Sequence, residues 1–204
     1  MVRLQKDVLN RLYIKELKSS LEISRYLNCS QNKVNYWLKK YKIPKRSISE
    51  SVYIKKNPNG DPFKNKEIKS TKEFFLAGLG LGLYWGEGTK ANKYSVRLGN
   101  SDPDLIKVFM IFLSNIYGVQ KSQLKFGLQI FSNMDKDLCL KYWCQKLGVS
   151  KEQFYKIIVT PSTKKGTYNF RKIEGVVTIY FNNIRLRNKI NDALKKAIEN
   201  ITID

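Results

Sequence analysis

The sequence predicts an α+β chain in two parts: a small all-helical unit over residues 1–46 and a larger domain of helices and strands over 70–204. A basic linker over 47–69 joins them. Three observations carry this. Val34, Trp37, Leu38 and Tyr41 follow the three-four spacing of a helix with one buried face. Ser70 and Glu73 form a capping box in front of a long apolar run. Within residues 123–131, Leu124, Phe126, Leu128 and Ile130 alternate with Gln123, Lys125, Gly127 and Gln129, the period of a half-buried strand.

Composition narrows the function. The 204 residues hold 38 Lys+Arg against 17 Asp+Glu, a net charge of +21, and no histidine. The first 66 residues carry +11 and the remainder +10, so both parts are suited to a polyanion. Without histidine there is no Ser-His-Asp triad, Cys-His dyad or imidazole base. Carboxylates, Lys, Tyr, Cys or a bound metal remain for any chemistry. The longest apolar run, residues 74–86, falls short of the ~20 residues that span a bilayer. The charged N-terminus lacks the apolar stretch of a signal peptide. Three cysteines, none in a CxxC, fit buried thiols in a reduced, cytoplasmic protein.

In the first unit, Val8–Lys18 reads as a helix, Ser20 as the cap of Leu21–Leu27, and Ser30 as the cap of Gln31–Tyr41. Asn28-Cys29 lies between the last two as a turn, and asparagine tolerates the left-handed backbone such turns use. This pattern resembles a helix-turn-helix, with Ile23, Ser24 and Leu27 on the second helix and Val34 and Trp37 on the third. The outer face of the third helix then presents Gln31, Asn32, Lys33, Asn35, Tyr36, Lys39 and Lys40, with Lys42, Lys45 and Arg46 behind it. Amides pair with adenine edges and lysines reach guanine or phosphate, so double-stranded DNA is the expected partner. A solvated polar face on a generic three-helix core is the alternative.

The apolar run FFLAGLGLGLYWGEG is long enough and capped well enough for a helix, read as buried all round. Glycine inside a helix costs about 1 kcal/mol relative to alanine. Gly78, Gly82 and Gly86 recur every four residues, a stripe that lets two helices approach closely. A dinucleotide-binding loop fails because Leu83 and Trp85 stand where its third glycine belongs.

The segment GLYWGEGTK resembles the LAGLIDADG motif of homing endonucleases. Gly82 and Gly86 fall at its small packing positions and Glu87 at its last acidic position, followed by Gly88. Trp85 replaces its first aspartate, and glutamate stands for aspartate at 87. The resemblance covers roughly residues 70–200 and implies an antiparallel-rich sheet packed against helices. It implies a homodimer joined through Gly78, Gly82 and Gly86. Each chain then brings Glu87, with Gly86 beside it, to a centre holding a divalent cation such as Mg²⁺, with no small-molecule cofactor. Asn100 at a strand end is the candidate to hold a water, and Lys172 or Lys164 to offset phosphate charge. The sheet would saddle the duplex through Arg97, Lys125 and Gln129, with residues 162–172 as a basic loop carrying Lys164, Lys165 and Arg171.

Downstream, Tyr94–Gly99, Gln123–Phe131, Tyr155–Thr160 and Gly175–Phe181 read as strands. Helices are expected over Leu105–Tyr117 (Asp102 as cap, Pro103 at the first position), Asp137–Leu147 and Asn183–Glu199. Leu138, Tyr142 and Trp143 are expected in the core, and Cys139 and Cys144 as separate core residues. Two functions follow from this reading: a metal-dependent, sequence-specific DNA endonuclease, or a non-cleaving transcriptional regulator with a degenerate LAGLIDADG domain. An RNA-binding role is a third.

Overall fold

The computed structural model describes residues 3–63, 68–162 and 174–202, which fall into two compact units, Met1–Pro62 and Phe63–Asp204. The architecture is mixed α+β, with eight α-helices and one four-stranded sheet among the described residues. No helix among them is long and apolar enough to cross a membrane.

In the first unit, α1 (Lys6–Leu9) runs on as a π-helix, Asn10–Lys15. It ends earlier than Lys18, because Leu17 takes a left-handed φ of 55°. Ser19, not Ser20, caps α2 (Ser20–Tyr26). Its hydroxyl accepts from Glu22 N–H, while the Glu22 carboxylate accepts from Ser19 N–H at 2.7 Å. The Ser19 hydroxyl, which donates to the Glu22 carboxylate at 2.6 Å, and then the Ser19 N–H hold the Glu22 carboxyl below its usual range. Asn28 does adopt the left-handed backbone, at φ 45°, and Ser30 caps α3 (Gln31–Lys40). Leu9, Leu12, Ile23, Val34 and Leu38 are fully buried at the centre, with Trp37 and Ile43 around them. Burying one such side chain contributes about 1.5–3 kcal/mol.

The stretch read as linker carries α4 (Ile48–Lys56), capped by Ser47. A serine followed three residues later by Glu50 is again a local start signal. It buries none of its residues.

In the second unit, α5 (Thr71–Glu87) starts at Ser70, whose hydroxyl accepts from Glu73 N–H. The Glu73 carboxylate returns to Lys69 N–H, one residue before the expected position. α6 (Pro103–Tyr117) is the central core helix, with Asp102 as cap and Pro103 at its first position. Phe109, Phe112 and Leu113 are fully buried. Phe109 stacks on Tyr84 of α5 at 6.0 Å. α7 (Lys136–Leu147) follows, and α8 (Ile184–Thr202) closes the chain.

The strands β1 (Val96–Asn100), β2 (Lys125–Phe131), β3 (Ile158–Thr160) and β4 (Val176–Phe181) lie in the order β1-β4-β2-β3. β4 pairs antiparallel with both β1 and β2, whereas β2 and β3 are parallel. The parallel pair follows from α7 standing between them as the crossover that parallel strands need. One face, with Leu98, Phe126, Leu128, Val177 and Ile179, is buried. The other carries Arg97, Gly99, Lys125, Gly127, Gln129, Thr178 and Tyr180.

Two core expectations are corrected. Leu138 is 66% exposed, because the inward stripe of α7 is Cys139, Trp143 and Leu147. Trp143 donates from its indole N–H to the Glu174 carbonyl at 2.7 Å and fixes that stripe against the approach to β4. And α5 is not buried all round. Ala77, Gly80 and Tyr84 face inward, while Phe74 and Phe75 are 73% and 75% exposed and Trp85 is 56% exposed.

Candidate nucleic-acid interface and carboxylate site

The helical period places Phe74, Phe75, Gly78, Leu79, Gly82, Trp85 and Gly86 on one side of α5, opposite Ala77, Gly80 and Tyr84. All seven are exposed. A β-carbon at Gly78, Gly82 or Gly86 would meet nothing within 4 Å among the described residues. The glycine that packs inside the chain is Gly80, where a β-carbon would run into the Phe112 ring. Gly80 lies off the four-residue stripe, so spacing alone did not single it out.

Glu87 ends this helix and is exposed. Gly88 bridges to Leu98, and Thr89 N–H donates to the Arg97 carbonyl at 3.0 Å, so the helix end is tied to β1. Asn100 lies two residues beyond Leu98 on that strand. Its side-chain oxygen accepts from Asp102 N–H at 2.9 Å and so shapes the start of α6.

A helix C-terminus is electronegative. α5 has no basic residue in its last turn and adds the Glu87 carboxylate there. Cationic compensation comes from Lys90, whose ammonium donates to the Trp85 carbonyl. Arg187 of α8 holds Lys90 in turn, donating to its carbonyl at 3.2 Å. The same guanidinium lies against Tyr84, whose hydroxyl is pushed up by burial and pulled back by Arg187. Lys90 and Arg187 carried no motif. Only their place beside α5 connects them to Glu87.

Among the described residues, no three His, Cys, Asp or Glu side chains cluster as ion ligands. A single chain therefore offers Glu87 and the end carbonyls of α5, including that of Gly86. Magnesium takes six oxygens in octahedral geometry and keeps several waters. Those donors have the right hard-oxygen chemistry, but a protein-built site needs a second carboxylate from another copy. Burial pushes the Cys139 and Cys144 thiols up, so neither is an activated nucleophile.

On the open sheet face, Tyr180 sits between Arg97 on β1 and Lys125 on β2 in register. The Arg97 guanidinium lies 5.1 Å from the Tyr180 ring centre, and Tyr155 meets that ring edge-on at 5.5 Å. Lys125 donates to the Glu152 carbonyl at 3.1 Å, and Gln129 to the Thr160 hydroxyl at 3.1 Å. Lys164, Lys165, Arg171 and Lys172 lie outside the described residues.

In the first unit, Gln31, Asn32, Tyr36, Lys39 and Lys40 are exposed on α3, and Lys33 and Asn35 are half-buried. Gln31 donates to Ser20 at 2.9 Å, which commits one arm of its amide to α2. Lys40 lies over the Trp37 ring at 4.9 Å. Arg46, grouped above with Lys42 and Lys45 behind the third helix, serves as a clamp. It donates to the Leu17 carbonyl at 2.7 Å and to the Lys18 carbonyl, and it covers the Tyr13 ring at 4.3 Å.

Comparison with known proteins returned no matching family model, no matching curated protein and no matching solved structure.

Proposed function

We propose that the chain is a sequence-specific double-stranded DNA endonuclease of the LAGLIDADG kind, working as a homodimer. The observation that carries this is the outer face of α5. It is an apolar face left open by the described residues of its own unit, with three glycines spaced by four and a carboxylate at its end. Soluble monomers rarely leave large contiguous apolar patches uncovered. A two-fold axis through the glycine stripe covers the face with its own copy and draws two Glu87 carboxylates together. Like charges held that close are stable when a cation lies between them.

The roles of the residues follow. Glu87 from each chain, with the Gly86 carbonyl beside it, would hold a divalent ion such as Mg²⁺. When bound, the ion supplies Lewis-acid activation of water and charge for the leaving oxygen. Lys90, held by Arg187 at the same helix end, would supply positive charge for a scissile phosphate. The open sheet face, through Arg97, Lys125 and Gln129, would meet the grooves. The α3 face would add contacts of the helix-turn-helix type through Asn32, Lys33, Asn35, Tyr36 and Lys39, with Gln31 reaching with what its bond to Ser20 leaves.

A second reading, a DNA-binding regulator without cleavage, is favoured by one observation. Trp85 and Glu87 stand where the motif has two aspartates. A plasmid carrying the bound site, incubated with Mg²⁺ and then with EDTA, separates the two. The endonuclease cuts with the metal and stops with the chelator, and Glu87→Gln binds but does not cut. A bound plasmid left intact in Mg²⁺ selects the regulator.

A further inference from the structure

We propose that Ser95 and Asn92 are specificity-determining positioning residues, which hold the Arg97 guanidinium as a reader of one guanine in duplex DNA. The proposal rests on the DNA-binding reading above and does not depend on cleavage.

Ser95 is 1% exposed, one of few buried polar side chains in the described chain. Its hydroxyl donates to the Asn92 side-chain oxygen at 3.0 Å, which commits its proton. That leaves it a pure acceptor toward Arg97 Nε–H, at 2.7 Å. The Asn92 oxygen is itself fixed by the backbone N–H groups of Tyr94 and Ser95, at 2.9 and 3.0 Å. Burying a hydroxyl is unfavourable unless its bonds are made. Here both bonds are made, one to the fixed Asn92 oxygen and one from the guanidinium it orients.

The second support is the ring beneath Arg97. Tyr180 lies flat enough across the sheet that a β-carbon at Gly127 would approach its Cε2 to 3.0 Å. Gly99 makes the same room for Thr178, whose hydroxyl would be 2.8 Å from a β-carbon there. Glycine weakens a strand and persists where something must lie close. Two glycines on the open face thus keep the platform low beside Arg97. Among the described residues, the two terminal nitrogens of Arg97 make no hydrogen bond or ion pair.

An arginine fixed through Nε and against a ring presents its remaining fork in one orientation. A fixed fork matches the paired O6 and N7 acceptors of guanine in the major groove. A phosphate contact needs charge rather than a set plane, and the neighbouring lysines supply that as point charges. A buried serine relay adds nothing to a phosphate contact, which is why guanine is the assignment.

The test is selection of duplex DNA from a random pool by the full chain and by Arg97→Lys, Ser95→Ala and Ser95→Thr. The wild type is expected to fix guanine at one position of its site, by roughly 5- to 150-fold over other bases. Arg97→Lys and Ser95→Ala should enrich the same site with that position relaxed, and Ser95→Thr should keep it. Variants that recover the unaltered site with uniformly weaker binding would make Arg97 a phosphate contact and overturn the proposal. A wild type that enriches no sequence removes the sequence-specific DNA-binding reading itself. Should Ser95→Ala fail to fold, as read from its circular dichroism, Arg97→Lys decides.

Discussion

Replacing Gly82 and Gly86 together by alanine separates the two possible lives of the α5 face. Among the described residues of the single chain, a β-carbon at either position meets nothing within 4 Å. Alanine is favoured over glycine inside a helix by about 1 kcal/mol. For an isolated chain the double variant should therefore gain about 2 kcal/mol and melt roughly 4–8 °C higher. In a dimer packed along the stripe, each methyl wedges the helices apart at about 1–3 kcal/mol per site, and the two-fold repeats every clash. The dimer dissociation constant should then rise at least about a hundredfold. Sedimentation equilibrium, with thermal melts over a concentration series, reads both quantities. Wild type should melt higher as concentration rises, and the variant should be monomeric with a melt that ignores concentration. Gly80→Ala is the control, because its β-carbon strikes Phe112 within the same chain. It should lose about 1–3 kcal/mol without a change in stoichiometry. A Gly82/Gly86 variant that gains stability and stays as dimeric as wild type would refute the packing argument.

Two further outcomes follow from the same structure. Arg46→Ala removes two charge-assisted bonds to the Leu17 and Lys18 carbonyls and the cover over Tyr13. It should destabilise the N-terminal unit by about 2–3 kcal/mol in a thermal melt, and Arg46→Lys should recover little, since an ammonium cannot fork to both carbonyls. An Arg46→Ala chain as stable as wild type would refute the clamp. Burial pushes the Tyr117 phenol up to about 12, whereas an unfolded tyrosine ionises near 10. The folded state holds the proton more tightly, so this stability is intact below pH 10 and is lost as pH climbs through 12, by roughly 3 kcal/mol. Denaturant titrations over that range should fall more steeply for wild type than for Tyr117→Phe, and equal slopes would count against the burial argument.

What the sequence made readable was local. Ser30 and Ser70 announce their helices because a cap acts on the three residues that follow it. Residues 123–131 read as a strand because one face is wholly apolar, and the structure buries Leu124, Phe126, Leu128 and Ile130. The orientation of α5 was not readable, because an apolar run without a polar face has no moment to say which side turns inward. Only Phe112, thirty-two residues away, distinguishes Gly80 from its neighbours. The destination of Arg46 is likewise tertiary: its acceptors lie 28 and 29 residues back. On α7, packing buried Cys139, Trp143 and Leu147, kept Tyr142 half-buried against the core, and left Leu138 outside. For the candidate site, the motif pointed to Glu87 and the stripe, while Lys90, Arg187, Ser95 and Asn92 act through contacts that no spacing announces.

The meeting of two Glu87 side chains can be measured directly by joining them. Glu87→Cys, in a chain whose Cys29, Cys139 and Cys144 are replaced by alanine, is treated with a short bis-maleimide while bound to its selected DNA. Paired α5 helices predict a covalent dimer in high yield, abolished when Gly82 and Gly86 are also alanine. Chains that bind the DNA yet remain uncrosslinked at residue 87 would contradict the shared carboxylate site.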